Sequence, residues 1–160
     1  MKIIYSLDQI PAMVDTHLIP LLQKPSIFLF FGQLGAGKTT LIREWLSQCA
    51  IQEQVTSPTF SYLNRYHDDT GKLFNHFDLY RLTTVDEFLA AGFHEQLFDP
   101  ESYCFIEWPD ILIPFFDEYP LNKTIYTITI EYLPDDFSLR RLSIEQWKSR
   151  EKETCGAKIS

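Results

Sequence analysis

Between Phe28 and Thr40 the chain reads F-L-F-F-G-Q-L-G-A-G-K-T-T, an apolar run that ends in the spacing G-x-x-x-x-G-K-T. These residue types suit a phosphate chain. Gly32, Gly35 and Gly37 allow tight backbone turns that aim successive N–H groups inward, toward phosphate oxygens. Lys38 adds a point charge, and Thr39 puts a hydroxyl where a phosphate-bound Mg²⁺ takes an oxygen ligand. A helix opening here directs its positive end at the same anion. The set Gly32, Gly35, Ala36, Gly37, Lys38, Thr39 and Thr40 therefore reads as a loop for a nucleoside triphosphate and its metal. A chance match is the alternative, and the context argues against it. An unbroken apolar strand precedes the loop, and Leu41, Ile42, Trp45 and Leu46 follow it with helical spacing.

Such a loop needs a carboxylate for the metal's shell and a group that positions or deprotonates the attacking water. Asp78 and Glu107 each close an apolar run, L-F-N-H-F-D and Y-C-F-I-E, and are the two candidates for metal and catalytic duty. In open α/β sheets ligands sit outside the carboxyl ends of the parallel strands, so an acid at such an end faces the nucleotide. Strand-end acids also occur simply as solvated caps. Trp108, beside Glu107, reads equally as a ring stacked on a base or partner and as core. The stretch Val55-Thr56-Ser57-Pro58-Thr59-Phe60 stands where many P-loop proteins carry a nucleotide-sensing segment, with Ser57 and Thr59 as its hydroxyls; a plain turn would look the same.

The elements that must position these residues read as one domain over residues 1–144, with a charged tail over 145–160 expected to be a surface helix. Residues 2–5 suit a short strand. Ser6 suits the cap of one helix carrying Ile10, Met13, Val14, His17, Leu18 and Leu21, ended by Pro25, with His17 as a packing residue. The helix after the loop runs to about Cys49. Phe60 to Tyr66 and Leu73 to Phe77, joined by Asp68-Asp69-Thr70-Gly71, predict a β-hairpin. Thr84 and Glu87 have capping-box spacing for a helix that Gly92 ends, which makes Glu87 a cap rather than a catalyst. Tyr103 to Ile106 predicts a strand buried on both faces. Residues 110–116 suit a short helix, Thr124 to Tyr132 a strand, and Leu139 to Ile144 a further one. The expected fold class is α/β, a P-loop NTPase-like three-layer sandwich with a mixed, mainly parallel central sheet and a hairpin.

The chain has 160 residues, of which 45% are hydrophobic, enough for one well-packed core. Its longest apolar run, Ile27 to Phe31, is far too short to cross a membrane, and the N-terminus lacks a signal-peptide arrangement, so a cytoplasmic protein is expected. The scattered Cys49, Cys104 and Cys155 fit thiols in a reducing compartment. A formal net charge of −8 argues against a broad surface for gripping RNA or DNA. His17, His67, His76 and His94 show no metal-ligand spacing with one another or with cysteine.

Taken together, G-x-L-G-A-G-K-T-T at 32–40, S-P-T-F at 57–60, H-F-D-L-Y-R-L at 76–82 and I-E-W-P at 106–109 closely resemble the bacterial TsaE (YjeE) family. The resemblance covers the chain from its first helix to about Pro109, in the same order and spacing, and the remainder adds little. It implies a small P-loop ATPase that uses ATP and Mg²⁺ and works with the TsaB and TsaD proteins. In that family the pair forms N6-threonylcarbamoyladenosine beside the anticodon of tRNAs reading ANN codons, and hydrolysis resets the pair between turnovers. Transfer RNA is then met only indirectly, through the complex. The resemblance further implies that Lys38 holds the β and γ phosphates and Thr39 ligates Mg²⁺. Glu107 would lie at the metal or its water, Asp78 would support that shell, and Ser57 to Thr59 would form the nucleotide-sensitive loop. One position departs from the family: Gln33 stands where an acidic residue is usual, which leaves the fold untouched and removes any role of that acid.

Two other functions use the same loop. A small-molecule kinase generally brings an arginine-bearing lid, whereas Arg65 and Arg81 stand alone and Arg140-Arg141 lies on a predicted strand. A nucleotide-dependent binding module would use ATP to order the Ser57 to Thr59 loop for a partner, with hydrolysis incidental. A GTPase is disfavoured because Asn122-Lys123 is followed by Ile125 where a base-reading carboxylate is needed.

Overall fold

The computed structural model describes residues 1–58 and 60–148. Its strands are β1 (Lys2–Ser6), β2 (Ser26–Phe31), β3 (Leu63–His67), β4 (Leu73–Asp78), β5 (Tyr103–Glu107), β6 (Thr124–Leu133) and β7 (Asp136–Gln146). They form one seven-stranded sheet in the order β1-β7-β6-β2-β5-β4-β3. The four central strands, β6, β2, β5 and β4, are parallel to one another, while β1, β7 and β3 pair antiparallel at the flanks. β2 and β5 are buried along almost their whole length, as S-I-F-L-F-F and Y-C-F-I-E require of strands covered on both faces.

Helices α1 (Ile10–Met13) and α2 (Lys38–Ser47) cover one face, and α3 (Val85–Ala90), α4 (His94–Phe98) and α5 (Ile113–Glu118) cover the other. The expected three-layer α/β sandwich is the fold observed. The helix that follows the phosphate loop is pinned by Trp45, whose ring lies 4.7 Å from Phe28 and 5.1 Å from Phe105. Fully burying such side chains contributes about 1.5–3 kcal/mol each, and each aromatic pair about 0.5–1.5 kcal/mol more. On the opposite face Thr84 caps α3, with Glu87 completing the box. Gly92, at φ +74°, ends α3 with N–H bonds from Gly92 to Leu89 and from Phe93 to Phe88, and the rings of Phe88 and Phe93 pack at 5.6 Å.

Some elements differ from expectation. The single helix predicted from Ser6 is a succession of 3₁₀ turns at Leu7–Gln9, α1, a π turn at Val14–Leu18 and 3₁₀ turns at Ile19–Gln23. Pro20 explains the break, because it has no N–H to donate and its ring crowds the carbonyl four residues earlier. The hairpin's first strand begins at Leu63, not Phe60. Tyr62 adopts φ +61° and donates its N–H to the Pro58 carbonyl at 2.9 Å, so the extended run cannot start earlier. At the other end β7 continues to Gln146, and Trp147 donates its N–H to the Ile125 carbonyl, so the sheet extends past position 144. The rest of the expected tail helix, 149–160, lies outside the described residues.

Candidate nucleotide and metal site

The sheet register assembles the site. β2, β5 and β4 run parallel, Phe30 is level with Glu107, and Glu107 is level with Asp78. Their carboxyl ends therefore open on one edge, where the loop leaves β2 and α2 begins. Side chains alternate along a strand, so Phe105 and Glu107 on β5 and His76 and Asp78 on β4 project to the face that α2 covers.

The loop depends on glycine at two positions above all. Gly32 adopts φ +142°, and a Cβ there would lie 2.5 Å from the Ile130 carbonyl oxygen of β6. Gly37, at φ +107°, is the residue that opens α2. Lys38 is almost fully buried, with its ammonium donating to the carbonyls of Gly32 at 2.7 Å and Gln33 at 3.1 Å. It also lies 3.6 Å from the centroid of the Trp108 ring. Burial holds the Lys38 ammonium below the ordinary lysine range, while Glu107, Asp78 and Asp110 pull it back up.

Glu107 is buried, and both of its oxygens face Thr39, whose Oγ1 lies 2.8 Å from Oε1 and 2.9 Å from Oε2. Oε1 also meets Nε2 of the fully buried His76 at 2.9 Å. Asp78 stands at the same level as Glu107, with Ser57 Oγ 3.4 Å from its Oδ2. Trp108 is half-buried, takes a left-handed backbone (φ 57°, ψ 55°) and packs on Tyr80 with centroids 4.9 Å apart. These side chains line a cleft of about 350 Å³ that includes Leu34, Gly35, Gly37, Lys38, Thr39 and Thr40. A larger cleft of about 490 Å³, between Leu7, Arg43 and Val55, shares only Thr40 with it and holds neither of the two candidate acids.

The cleft thus brings together Gly35, Gly37, Lys38, Thr39, Thr40, Ser57, Asp78, Glu107 and Trp108. Gly32 and Ala36 shape the loop from behind, the latter buried and donating its N–H to the Gln33 carbonyl. Thr59 lies outside the described residues. Sequence reasoning missed three contributors. His76 supports Glu107, Tyr80 flanks Trp108, and Tyr132 reaches across from β6 to donate its hydroxyl to the Gly35 carbonyl at 2.7 Å. For His76 a signal existed: a polar residue two before Asp78, on the same face of a buried strand.

The side-chain atoms that Thr39 Oγ1 meets among the described residues are carboxylate oxygens, those of Glu107. Among the described residues no group of three or more His, Cys, Asp or Glu side chains could enclose a metal. That set fits Mg²⁺, which takes one or two protein oxygens and completes its shell with phosphate and water. It does not fit a soft or imidazole-seeking metal. Among the described residues no helix is long and apolar enough to cross a membrane.

Comparison with known proteins agrees with this architecture. The profile of the family described as "Threonylcarbamoyl adenosine biosynthesis protein TsaE" matches residues 7–141. The chain is 34% identical over 116 residues to the tRNA threonylcarbamoyladenosine biosynthesis protein TsaE of Treponema pallidum, covering 72% of this chain and 79% of that one. To the protein of the same name from Haemophilus influenzae it is 43% identical over 79 residues, 49% of each chain, so the match spans about half of that relative. The crystal structure of Bacillus subtilis YdiB shares the fold, with a TM-score of 0.58 at 22% identity over 90% of this chain and 84% of that one.

Proposed function

Because this chain belongs to the TsaE family, we propose that it is a Mg²⁺-dependent P-loop ATPase needed to form N6-threonylcarbamoyladenosine beside the anticodon of tRNAs reading ANN codons. The observation that carries this reading is the contact of Thr39 Oγ1 with both oxygens of Glu107, 2.8 and 2.9 Å, at the mouth of the phosphate loop. It joins the two groups that P-loop hydrolysis needs on the metal side. The protein works in the cytoplasm with the TsaB and TsaD proteins. A net charge of −8 supports a role in which those partners, and not this chain, hold the tRNA.

Lys38 exchanges its present carbonyl acceptors for β- and γ-phosphate oxygens, and the N–H groups of the loop and of the α2 start bind the rest. Mg²⁺, when bound with ATP, neutralises charge on the phosphate chain. Thr39 and Glu107 hold that side of the site, Asp78 supports the shell, and Glu107 orients the attacking water and takes up its proton. Trp108 and Tyr80 wall the cleft against solvent.

The test is phosphate release from Mg²⁺-ATP by the purified chain, alone and with TsaB and TsaD of the same organism. Slow release that rises when the pair is added is expected. An unchanged rate would remove the protein from that assembly and leave a nucleotide-binding protein with another client. Thr39→Ala should leave the fold intact and weaken Mg²⁺-ATP binding by about tenfold, since the lost hydroxyl serves the metal and not the core. Equal affinity in Mg²⁺, measured by calorimetry, overturns the role given to Thr39.

A further inference from the structure

His76 has no evident structural reason to be histidine. It is fully buried on β4, between Phe74 and Asp78 on the face beneath α2, where an apolar side chain would pack without needing a hydrogen-bond partner. Its Nε2 lies 2.9 Å from Glu107 Oε1, and its Nδ1 is buried with no hydrogen-bond partner among the described residues. A neutral ring protonated on Nε2 satisfies this geometry, with Nε2–H donating to the carboxylate and a bare Nδ1 behind it.

The contact is asymmetric. Oε1 receives Nε2 of His76 and shares the Thr39 hydroxyl, while among the described residues Oε2 meets that hydroxyl alone, at 2.9 Å. A carboxylate anchored through one oxygen cannot rotate freely about its last bond, so its other oxygen stays aimed at Thr39 and the cleft. We propose that His76 is a positioning residue that fixes the Glu107 carboxylate through Oε1, so that Oε2 is presented to the metal side of the nucleotide site. Its action is through Glu107, as a partner that orients a ligand without touching the metal or the reacting atoms. The inference rests on the proposed roles of Glu107 and Thr39.

The experiment measures how much Mg²⁺ tightens binding of the β,γ-imido analogue of ATP, comparing affinities in Mg²⁺ and in EDTA by calorimetry. Hydrolysis is not required, so a chain that binds but does not turn over would defeat the proposed ATPase and leave this inference standing. His76→Leu is expected to keep the EDTA affinity within about threefold and to lose about tenfold of the Mg²⁺ tightening, the scale of one buried hydrogen bond to a charge. His76→Gln, whose side-chain amide can reach the same point as Nε2, is expected to retain the tightening within about threefold. In the unaltered protein the ¹⁵N spectrum should show the Nε2-protonated ring, with that nitrogen's shift moving when Mg²⁺ joins the bound analogue. This reading stands even where His76→Leu fails to fold. Unchanged tightening in a folded His76→Leu, equal losses in the Leu and Gln variants, parallel loss in EDTA, a parent without tightening, or an Nε2 signal indifferent to Mg²⁺ each overturns the assignment.

Discussion

Glu107→Ala is expected to bind ATP in the absence of metal as the parent does, and to release phosphate at least about a hundredfold more slowly, the lower end of what a positioned base supplies. The physical reason is local. The proposed phosphate contacts come from loop N–H groups and from Lys38, whose ammonium is held by the Gly32 and Gln33 carbonyls and feels Glu107 only through its charge, whereas Thr39 Oγ1 and His76 Nε2 both lose their acceptor. Leaving a buried donor such as Nε2 unpaired costs about 1–3 kcal/mol, so a modest fall in melting temperature accompanies the kinetic loss. Single-turnover phosphate release, with binding followed separately, distinguishes the two effects. A variant hydrolysing at the parental rate removes Glu107 from the mechanism and favours a protein whose nucleotide only orders a binding surface.

Gly32→Ala should do its damage through the backbone. The added methyl would stand 2.5 Å from the Ile130 carbonyl oxygen and 3.4 Å from Ala36 Cβ, at φ +142°, where an L-residue is strained in any case. The carbonyl belongs to β6, which is hydrogen-bonded to β2 and cannot withdraw alone. Strain and overpacking together set the cost at about 2–5 kcal/mol. Because the Gly32 carbonyl also receives the Lys38 ammonium, nucleotide affinity should fall with stability. Urea unfolding of the variant beside the parent checks the first effect and calorimetry with ADP the second; equal midpoints would mean that the loop relaxes without moving the strand.

How much could be read from the chain depended on how local each feature was. The phosphate loop occupies consecutive residues, and each glycine or hydroxyl there carries its reason with it. Asp78 and Glu107 were legible as acids closing apolar runs, and the parallel register sets them level in one cleft. For His76 the sequence carried only its place two before Asp78, since its partner lies 31 positions away and is reached only through the parallel register of β4 on β5. Within a strand of N-H-F character a histidine reads as core until that register is known. Trp108 left two readings open; the structure shows it half-buried in the cleft with its ring over the Lys38 ammonium, which depends on a left-handed backbone that no sequence pattern announced. The break in the first helix was written in Pro20, but the hydrophobic spacing around it outweighed that signal.

The backbone of Trp108 also decides how the cleft can move. In a regular strand Glu107 and Trp108 would face opposite sides of the sheet; the left-handed turn at Trp108 brings both into one cleft. The carboxylate and the indole stand on adjacent residues, so a shift of their shared backbone moves both. A backbone displacement at the end of β5 that withdraws Glu107 from Thr39 also moves the ring over Lys38, so the Thr39 end and the Lys38 end of the cleft are geared to each other. A partner pressing on the exposed Tyr80, which packs on Trp108, would turn both at once.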